Sequence, residues 1–317
     1  MRMSGQFVWI LNFSSACDAR EKHLKVKGRG MRENGTMTVT LLGASEIRRL
    51  AAELDVTPTK KWGQNFVVDA NTVRRIVQVA RVEAGERVVE VGPGLGSLTL
   101  AILETGATVT AVEIDPRLAA RLPQTAAEHQ VPEGALQIIQ NDALKVTALP
   151  GEPTVLVANL PYNVSVPVLL HFMETFSTLD RGVVMGQAEV GERLAAPPGS
   201  KTYGSPSVKA AWYGDWKLAG NVSRQVFWPV PNVDSVLVGF QRSGDTLGTE
   251  EERKATFTIV DAAFQQRRKM LRQALSSLLG GSAAASSEVL ERAGVDPTLR
   301  GEQLTVHDYL RIARTIA

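Results

Sequence analysis

Between residues 87 and 240 short apolar runs alternate with amphipathic stretches. Arg87 to Val91, Thr108 to Val112, Ala135 to Ile139, Thr154 to Ala158 and Gly182 to Met185 are brief, rich in Val and Ile, and read as buried strands. Val208 to Trp216 and Val236 to Phe240 read as two more. Helical spacing marks Glu46 to Leu54, Thr72 to Ala80, the stretch after Gly96 through Glu104, and Pro167 to Phe176. Such alternation predicts an α/β domain with a parallel sheet. After a polar linker, Gly244 to Glu252, the spacing is helical only. Phe257, Val260, Phe264, Leu271, Leu275 and Leu278 form one apolar stripe, and two short helices follow, the last from Val306 to Ile316. The organisation predicted is a sheet domain over 38–243 and an all-helical domain over 244–317. Residues 1–37 match neither pattern and read as a disordered or non-native leader, with Met1, Met31 and Met37 as possible starts.

Four successive strands end in polar or glycine-rich groups: Gly92, Glu113, Asp142 and Asn159. A parallel sheet sets all four on one rim, where open α/β sheets bind ligands. Gly92-Pro93-Gly94-Leu95-Gly96 lets the backbone approach a ligand closely at a helix amino terminus. Glu113 follows Gly92 by 21 residues, the spacing of a carboxylate that accepts both ribose hydroxyls. An adenosine cofactor fits, either NAD or S-adenosyl-L-methionine; Glu113 or Asp115 as a helix cap is the structural alternative. Asp142 can accept from an adenine amine. Ala158-Asn159-Leu160-Pro161-Tyr162 offers an amide, a backbone carbonyl freed by proline and an aromatic face. Together they make a cradle for a planar group bearing an NH2; the bland alternative is a strand end, a proline turn and a core tyrosine. Phe227, ahead of Pro229 and Pro231, is either a core aromatic or a wall of the site.

Composition changes this picture little. With 317 residues, 44% hydrophobic and 21% charged, the chain reads as soluble and globular. It has no apolar run of the roughly 18 residues that a membrane span needs. Cys17 is the only cysteine and the four histidines are scattered, so no disulfide framework or metal site is expected and a reducing cytoplasm is the natural setting. The net charge of +2 comes from residues 1–37, which hold seven basic and three acidic residues and leave 28 and 30 for the rest. Any case for nucleic acid therefore rests on local clusters. Lys60 and Lys61 precede Gly63-Gln64-Asn65-Phe66, and Arg267, Arg268, Lys269 and Arg272 crowd one helical stretch. A continuous helix would put Arg268 on the apolar stripe. Either Arg268 pairs with a carboxylate at a domain seam, or the helix breaks near Gln265.

Assembled, the chain resembles the small-subunit ribosomal RNA adenine dimethyltransferases, the KsgA family. The residues that carry the resemblance begin with Gly63-Gln64-Asn65-Phe66, Val89-Glu90-Val91-Gly92-Pro93-Gly94, Val112-Glu113-Ile114-Asp115 and Asn141-Asp142-Ala143. Asn159-Leu160-Pro161-Tyr162, Gln187-Ala188-Glu189-Val190, Val233-Asp234-Ser235, Phe264 through Lys269 and Glu302-Gln303-Leu304 extend it from about Thr40 to the C-terminus. Trp62, Val67 and Gly301 are small departures. The resemblance implies a Rossmann-like S-adenosyl-L-methionine-dependent methyltransferase sheet with a small helical C-terminal domain. It implies dimethylation of N6 of two adjacent adenosines in the 3′-terminal hairpin loop of small-subunit rRNA. Carried over, the cofactor contacts are Asn65, Val67, Gly92, Glu113, Asp142 and Asn159. The catalytic set is Asn159, Leu160, Pro161, Tyr162 and Phe227, and the RNA contacts are Lys60, Lys61, Arg267, Arg268, Lys269 and Arg272. A monomer acting on the immature small ribosomal subunit, with no membrane and no metal, is expected. The alternatives are a large-subunit rRNA methyltransferase of the antibiotic-resistance type, an NAD oxidoreductase, which leaves Asn159 to Tyr162 unexplained, and a non-catalytic assembly factor.

Overall fold

The computed structural model describes residues 38–56, 65–161 and 164–316. The leader over 1–37, Lys60, Lys61, Trp62 and Tyr162 lie outside the described residues. In chain order the elements are α1 (Ala44–Glu53), β1 (Phe66–Val67), α2 (Ala70–Ala80), β2 (Arg87–Val91), α3 (Ser97–Leu103), β3 (Thr108–Glu113), α4 (Pro116–Glu128) and β4 (Leu136–Gln140). Next come β5 (Val155–Asn159), α5 (Ser165–Thr175), β6 (Arg181–Gln187), α6 (Ala188–Leu194), α7 (Ser205–Ala211), β7 (Gly214–Val222), β8 (Phe227–Trp228) and β9 (Ser235–Arg242). The chain ends in α8 (Glu250–Gln265), α9 (Leu271–Ala274), α10 (Ala283–Arg292) and α11 (Val306–Ile316).

One sheet has the order β4-β3-β2-β5-β6-β9-β7, and β1 and β8 form a separate two-stranded ribbon. β4 to β6 pair in parallel, and β9 and β7 add antiparallel strands. The central strands are buried on both faces and divide their side chains by alternation. Leu156 and Ala158 of β5 join the core that includes α5, while Val155 and Val157 join the one beneath α2 and α3. A third cluster packs α1 against Phe66, Leu95 and Leu118.

The stretch read as a strand over Val208 to Trp216 is corrected: its first half is α7 and its end opens β7. Pro206 sits in the first helical turn and Ser207 Oγ accepts from the Gly204 N–H at 3.0 Å, so the local start signal is helical. Gly214 then begins the edge strand where a Cβ would collide with the Gln241 carbonyl, a contact only glycine avoids.

The helical region shares its core with the sheet. One cluster runs from Val184 and Phe240 through Ile259, Val260 and Ala263 to Tyr309, Leu310 and Ile312. At the seam Arg253, 7% exposed, pairs with Glu174 at 2.6 Å and Glu250 at 2.7 Å. Arg242 donates to the carbonyls of Met173, Phe176 and Leu179 at the end of α5. α8 stops at Gln265, as one of the two expectations for Arg268 required, and Arg268 is exposed. The seam carboxylate goes to Arg267 instead, whose Nε donates to Glu302 at 2.6 Å. Among the described residues no helix is long and apolar enough to cross a membrane.

Candidate active site

At the carboxyl ends of β2, β3, β4 and β5 lies a cavity of about 310 Å³. Asn65, Val67, Gly92, Glu113, Asp142, Asn159, Leu160 and Pro161 all line it. Phe227 does not. It is 3% exposed and packs among Val67, Met185 and Leu237. Of the two readings of Phe227 the core aromatic holds, and its place in the catalytic set is corrected: it belongs to the ribbon and anchors it in the core.

Geometry separates the possible roles of the two acids after β3. Asp115 caps α4 by accepting from the Arg117 N–H at 2.9 Å. Glu113 is left for the cavity. Its Oε2 accepts from the Gly94 N–H at 3.1 Å and its Oε1 from the Asp115 N–H at 2.9 Å. Gly94 has φ +58, and a Cβ there would lie 3.0 Å from the Phe66 ring. Burial pushes the Glu113 carboxyl above its ordinary value, and the N–H groups of Asp115, Gly94 and Ile114 oppose that shift. Each Glu113 oxygen keeps a lone pair for a ligand hydroxyl. Asp142 accepts from the Leu144 N–H at 3.0 Å and stays accessible.

Among the cavity residues that were not singled out as contacts from the sequence, Ile114, Leu144 and Glu90 bear on its chemistry. Ile114 and Leu144 are 48% and 40% exposed, unusual for large apolar side chains, and line the cavity on either side of Asp142 in the chain. An apolar residue between Glu113 and Asp115 was the available signal. Glu90 is the third, 1% exposed, with the Thr99 hydroxyl donating to it at 2.6 Å. Burial drives its carboxyl up to about 8, against the pull of Thr99 and with a further push from Glu113.

Glu90 yields an expectation for stability. Between the ordinary carboxylate value and about 8 the folded chain keeps a proton that the unfolded chain releases. This contribution is full below that window and falls as pH rises through it, by at most about 1.4 kcal/mol per pH unit. Glu90→Gln, which cannot ionise, melts above the wild type by a margin that grows from about pH 5 to about pH 8. Calorimetry at both ends checks this; an equal margin would mean that Glu90 ionises without cost.

The donor set fits an adenosine-bearing cofactor: a carboxylate with free lone pairs, exposed apolar faces beside Asp142, and a glycine loop opening α3. Among the described residues no cluster of three His, Cys, Asp or Glu is placed to hold a metal ion. Of the basic residues, Arg268 and Lys269 are exposed beyond α8 and Arg272 is half-buried in α9, while Arg267 also donates to the Lys201 carbonyl.

The family model described as ribosomal RNA adenine dimethylase matches residues 57–317. The chain belongs to that family. A relative named ribosomal RNA small subunit methyltransferase A from Leifsonia xyli is 66% identical over 275 residues, covering 86% of this chain and 98% of the relative. A protein of the same name from Streptomyces coelicolor is 58% identical over 276 residues, covering 86% and 96%. Among solved structures, a dimethyladenosine transferase from Plasmodium falciparum aligns with TM-score 0.67 at 22% identity, covering 77% of this chain and 94% of its own. The 23S rRNA methyltransferase ErmE aligns with TM-score 0.59 at 24% identity, covering 79% and 99%. Both share the Rossmann-like fold. The cofactor of the dimethylase family is S-adenosyl-L-methionine, whose adenosyl half matches the donors above.

Proposed function

We propose that the chain dimethylates N6 of two adjacent adenosines in the 3′-terminal hairpin loop of small-subunit rRNA, during small-subunit biogenesis in the cytoplasm. The observation that carries this is the 66% identity, over nearly the whole relative, to a small-subunit methyltransferase A. The large-subunit alternative shares the fold, but the ErmE resemblance is only 24%.

Bound S-adenosyl-L-methionine supplies an electrophilic methyl group. Glu113 would hold the ribose hydroxyls, Asp142 the adenine amine, and Asn65, Val67 and Gly92 the remaining edges. The substrate amine is a poor nucleophile because its lone pair is delocalised into the ring. The Asn159 side-chain oxygen and the Leu160 carbonyl accept its two hydrogens and localise the lone pair. Such positioning is worth roughly 7–11 kcal/mol at best. Tyr162 stacks on the extruded base, worth about 1–3 kcal/mol of binding. A loop adenosine costs little to unstack. The helical region over 244–317 contacts RNA or ribosome through Arg268, Lys269 and Arg272, and Lys60 and Lys61 contribute two further cations. The protein acts as a monomer on an immature subunit.

The test is transfer of labelled methyl to undermethylated small subunits, with the product located by mass spectrometry. Dimethyladenosine in the 3′ hairpin is expected. Product confined to large-subunit RNA would move the assignment to the resistance type. Tight subunit binding without transfer to either RNA would make the protein an assembly factor.

A further inference from the structure

The Asn159 carboxamide can sit in two orientations of nearly equal shape and opposite chemistry. One presents an oxygen to the substrate amine and the other presents a second NH2, which repels it. The surroundings of Asn159 decide between them. Its Nδ2 donates to the backbone carbonyl of Asn65 at 3.1 Å. A carbonyl only accepts, so the group facing Asn65 must be the NH2, whatever orientation is drawn. Oδ1 is then the end left for the substrate.

We propose that the Asn65 backbone carbonyl is the positioning group for Asn159, and that the β1–β8 ribbon exists to hold it in place. This rests on the reading above of Asn159 as the acceptor for the substrate amine. Asn65 immediately precedes β1. Phe66 is paired with Trp228 and Val67 with Phe227, and the Val68 N–H donates to the Val226 carbonyl at 2.8 Å. The Phe66 and Trp228 rings stack with centroids 6.4 Å apart and planes 22° from parallel. A two-residue ribbon has few hydrogen bonds of its own, so this stack and the burial of Phe227 supply its rigidity. The 94-residue separation between Asn65 and Asn159 means that the fold, and not local chain geometry, brings them together, with the ribbon adjoining Asn65. It also gives the motif at Phe227 and Trp228 a task, although Phe227 is not in the cavity: these aromatics act through the Asn65 carbonyl.

A backbone carbonyl cannot be deleted by substitution, so its partner is changed instead. Asn159→Asp keeps the shape but replaces the donor by oxygen. Ionised, it sets a carboxylate against the Asn65 carbonyl. Protonated, it donates to that carbonyl and still offers an acceptor to the substrate. Methyl transfer to undermethylated small subunits is measured for both proteins from about pH 8 down to about pH 6, at saturating cofactor. Glu90, Glu113 and Asp142 line the same cavity in both proteins, so the ratio of variant to wild type isolates position 159. That ratio should climb as pH falls, by up to about tenfold per pH unit while the variant carboxyl is mostly ionised, because only its protonated form can donate to the Asn65 carbonyl. A ratio that stays flat across this range would overturn the proposal. Trp228→Leu provides the second arm. It should lower kcat about tenfold with the KM for cofactor within about threefold, and Trp228→Phe should restore most of the loss. Unchanged kcat in Trp228→Leu, or no rescue by Phe, would equally overturn it. An inactive wild type would instead sink the dimethylation reading itself.

Discussion

Asn159→Ala lowers kcat for methyl transfer about 10²- to 10³-fold, the usual cost of removing one preorganised polar group at a reacting centre. The substitution takes away Oδ1 and leaves the Leu160 carbonyl as sole acceptor for the amine. The backbone around it should not move. Ala158 and Leu160 are 0% and 2% exposed, Asn159 pairs with Met185 along β6, and the Leu160 N–H donates to the Met185 carbonyl at 3.0 Å. Affinity for the subunit, which stacking and phosphate contacts dominate, should stay within about threefold. Single-turnover transfer and subunit binding, measured side by side, read the two quantities separately. A variant within about threefold of the wild-type rate would remove Asn159 from the reaction and leave it as a strand end.

The cavity rim was legible in the sequence for a physical reason. β2, β3 and β5 are covered on both faces, so they read as short Val-rich runs, and the glycine or polar residue that closes each run marks the carboxyl end. The same burial hid Glu90. Within Val88-Val89-Glu90-Val91 one carboxylate leaves the strand pattern recognisable and nothing local assigns it a role, whereas pairing of β2 with β3 and β5 buries it beside the cavity. The β1–β8 ribbon has no period to detect at two residues per strand, so Phe227 could not be assigned to core or cavity. α7 misled because Val208, Trp212 and Tyr213 favour strands by composition, while Pro206 and Ser207 carry the local start signal. Arg267 and Arg268 exchanged roles because the break after Gln265 shifts the helical phase, and the stripe that put Arg268 inside assumed a continuous helix.

The position of α5 links two parts of the molecule that the sequence treats as separate. It begins at Ser165, just beyond Pro161, and its far end is held by Arg242 and Arg253. β9 and α8 therefore grip the element that leaves β5. A short linker and a shared core leave the C-terminal helices little freedom to move independently of the rim.

Glu113→Gln weakens cofactor binding about 100-fold, corresponding to roughly 3 kcal/mol for hydrogen bonds to a buried charged group. The loss has two sources. In the wild type both oxygens already accept backbone N–H groups, from Gly94 and Asp115, and their remaining lone pairs would serve the ligand. A carboxamide must place its NH2 against one of those N–H groups, donor against donor. If that is Gly94, the glycine loop itself is pushed from its place under the ligand; if Asp115, the start of α4 is disturbed. The second source is charge, since a neutral group accepts the ribose hydroxyls less strongly. The sign of the pH dependence follows from the raised pKa of Glu113. As pH falls the wild-type carboxylate takes a proton earlier than an ordinary glutamate, near about 4.3, would, and it loses acceptor capacity. Wild-type affinity for S-adenosyl-L-methionine should therefore decline on acidification from a pH above that ordinary value, while the weak affinity of Glu113→Gln stays level. Isothermal titration of both proteins across that range checks the magnitude and the slope together. Equal affinities at neutral pH would remove Glu113 from cofactor binding altogether, both as ribose acceptor and as support of the glycine loop.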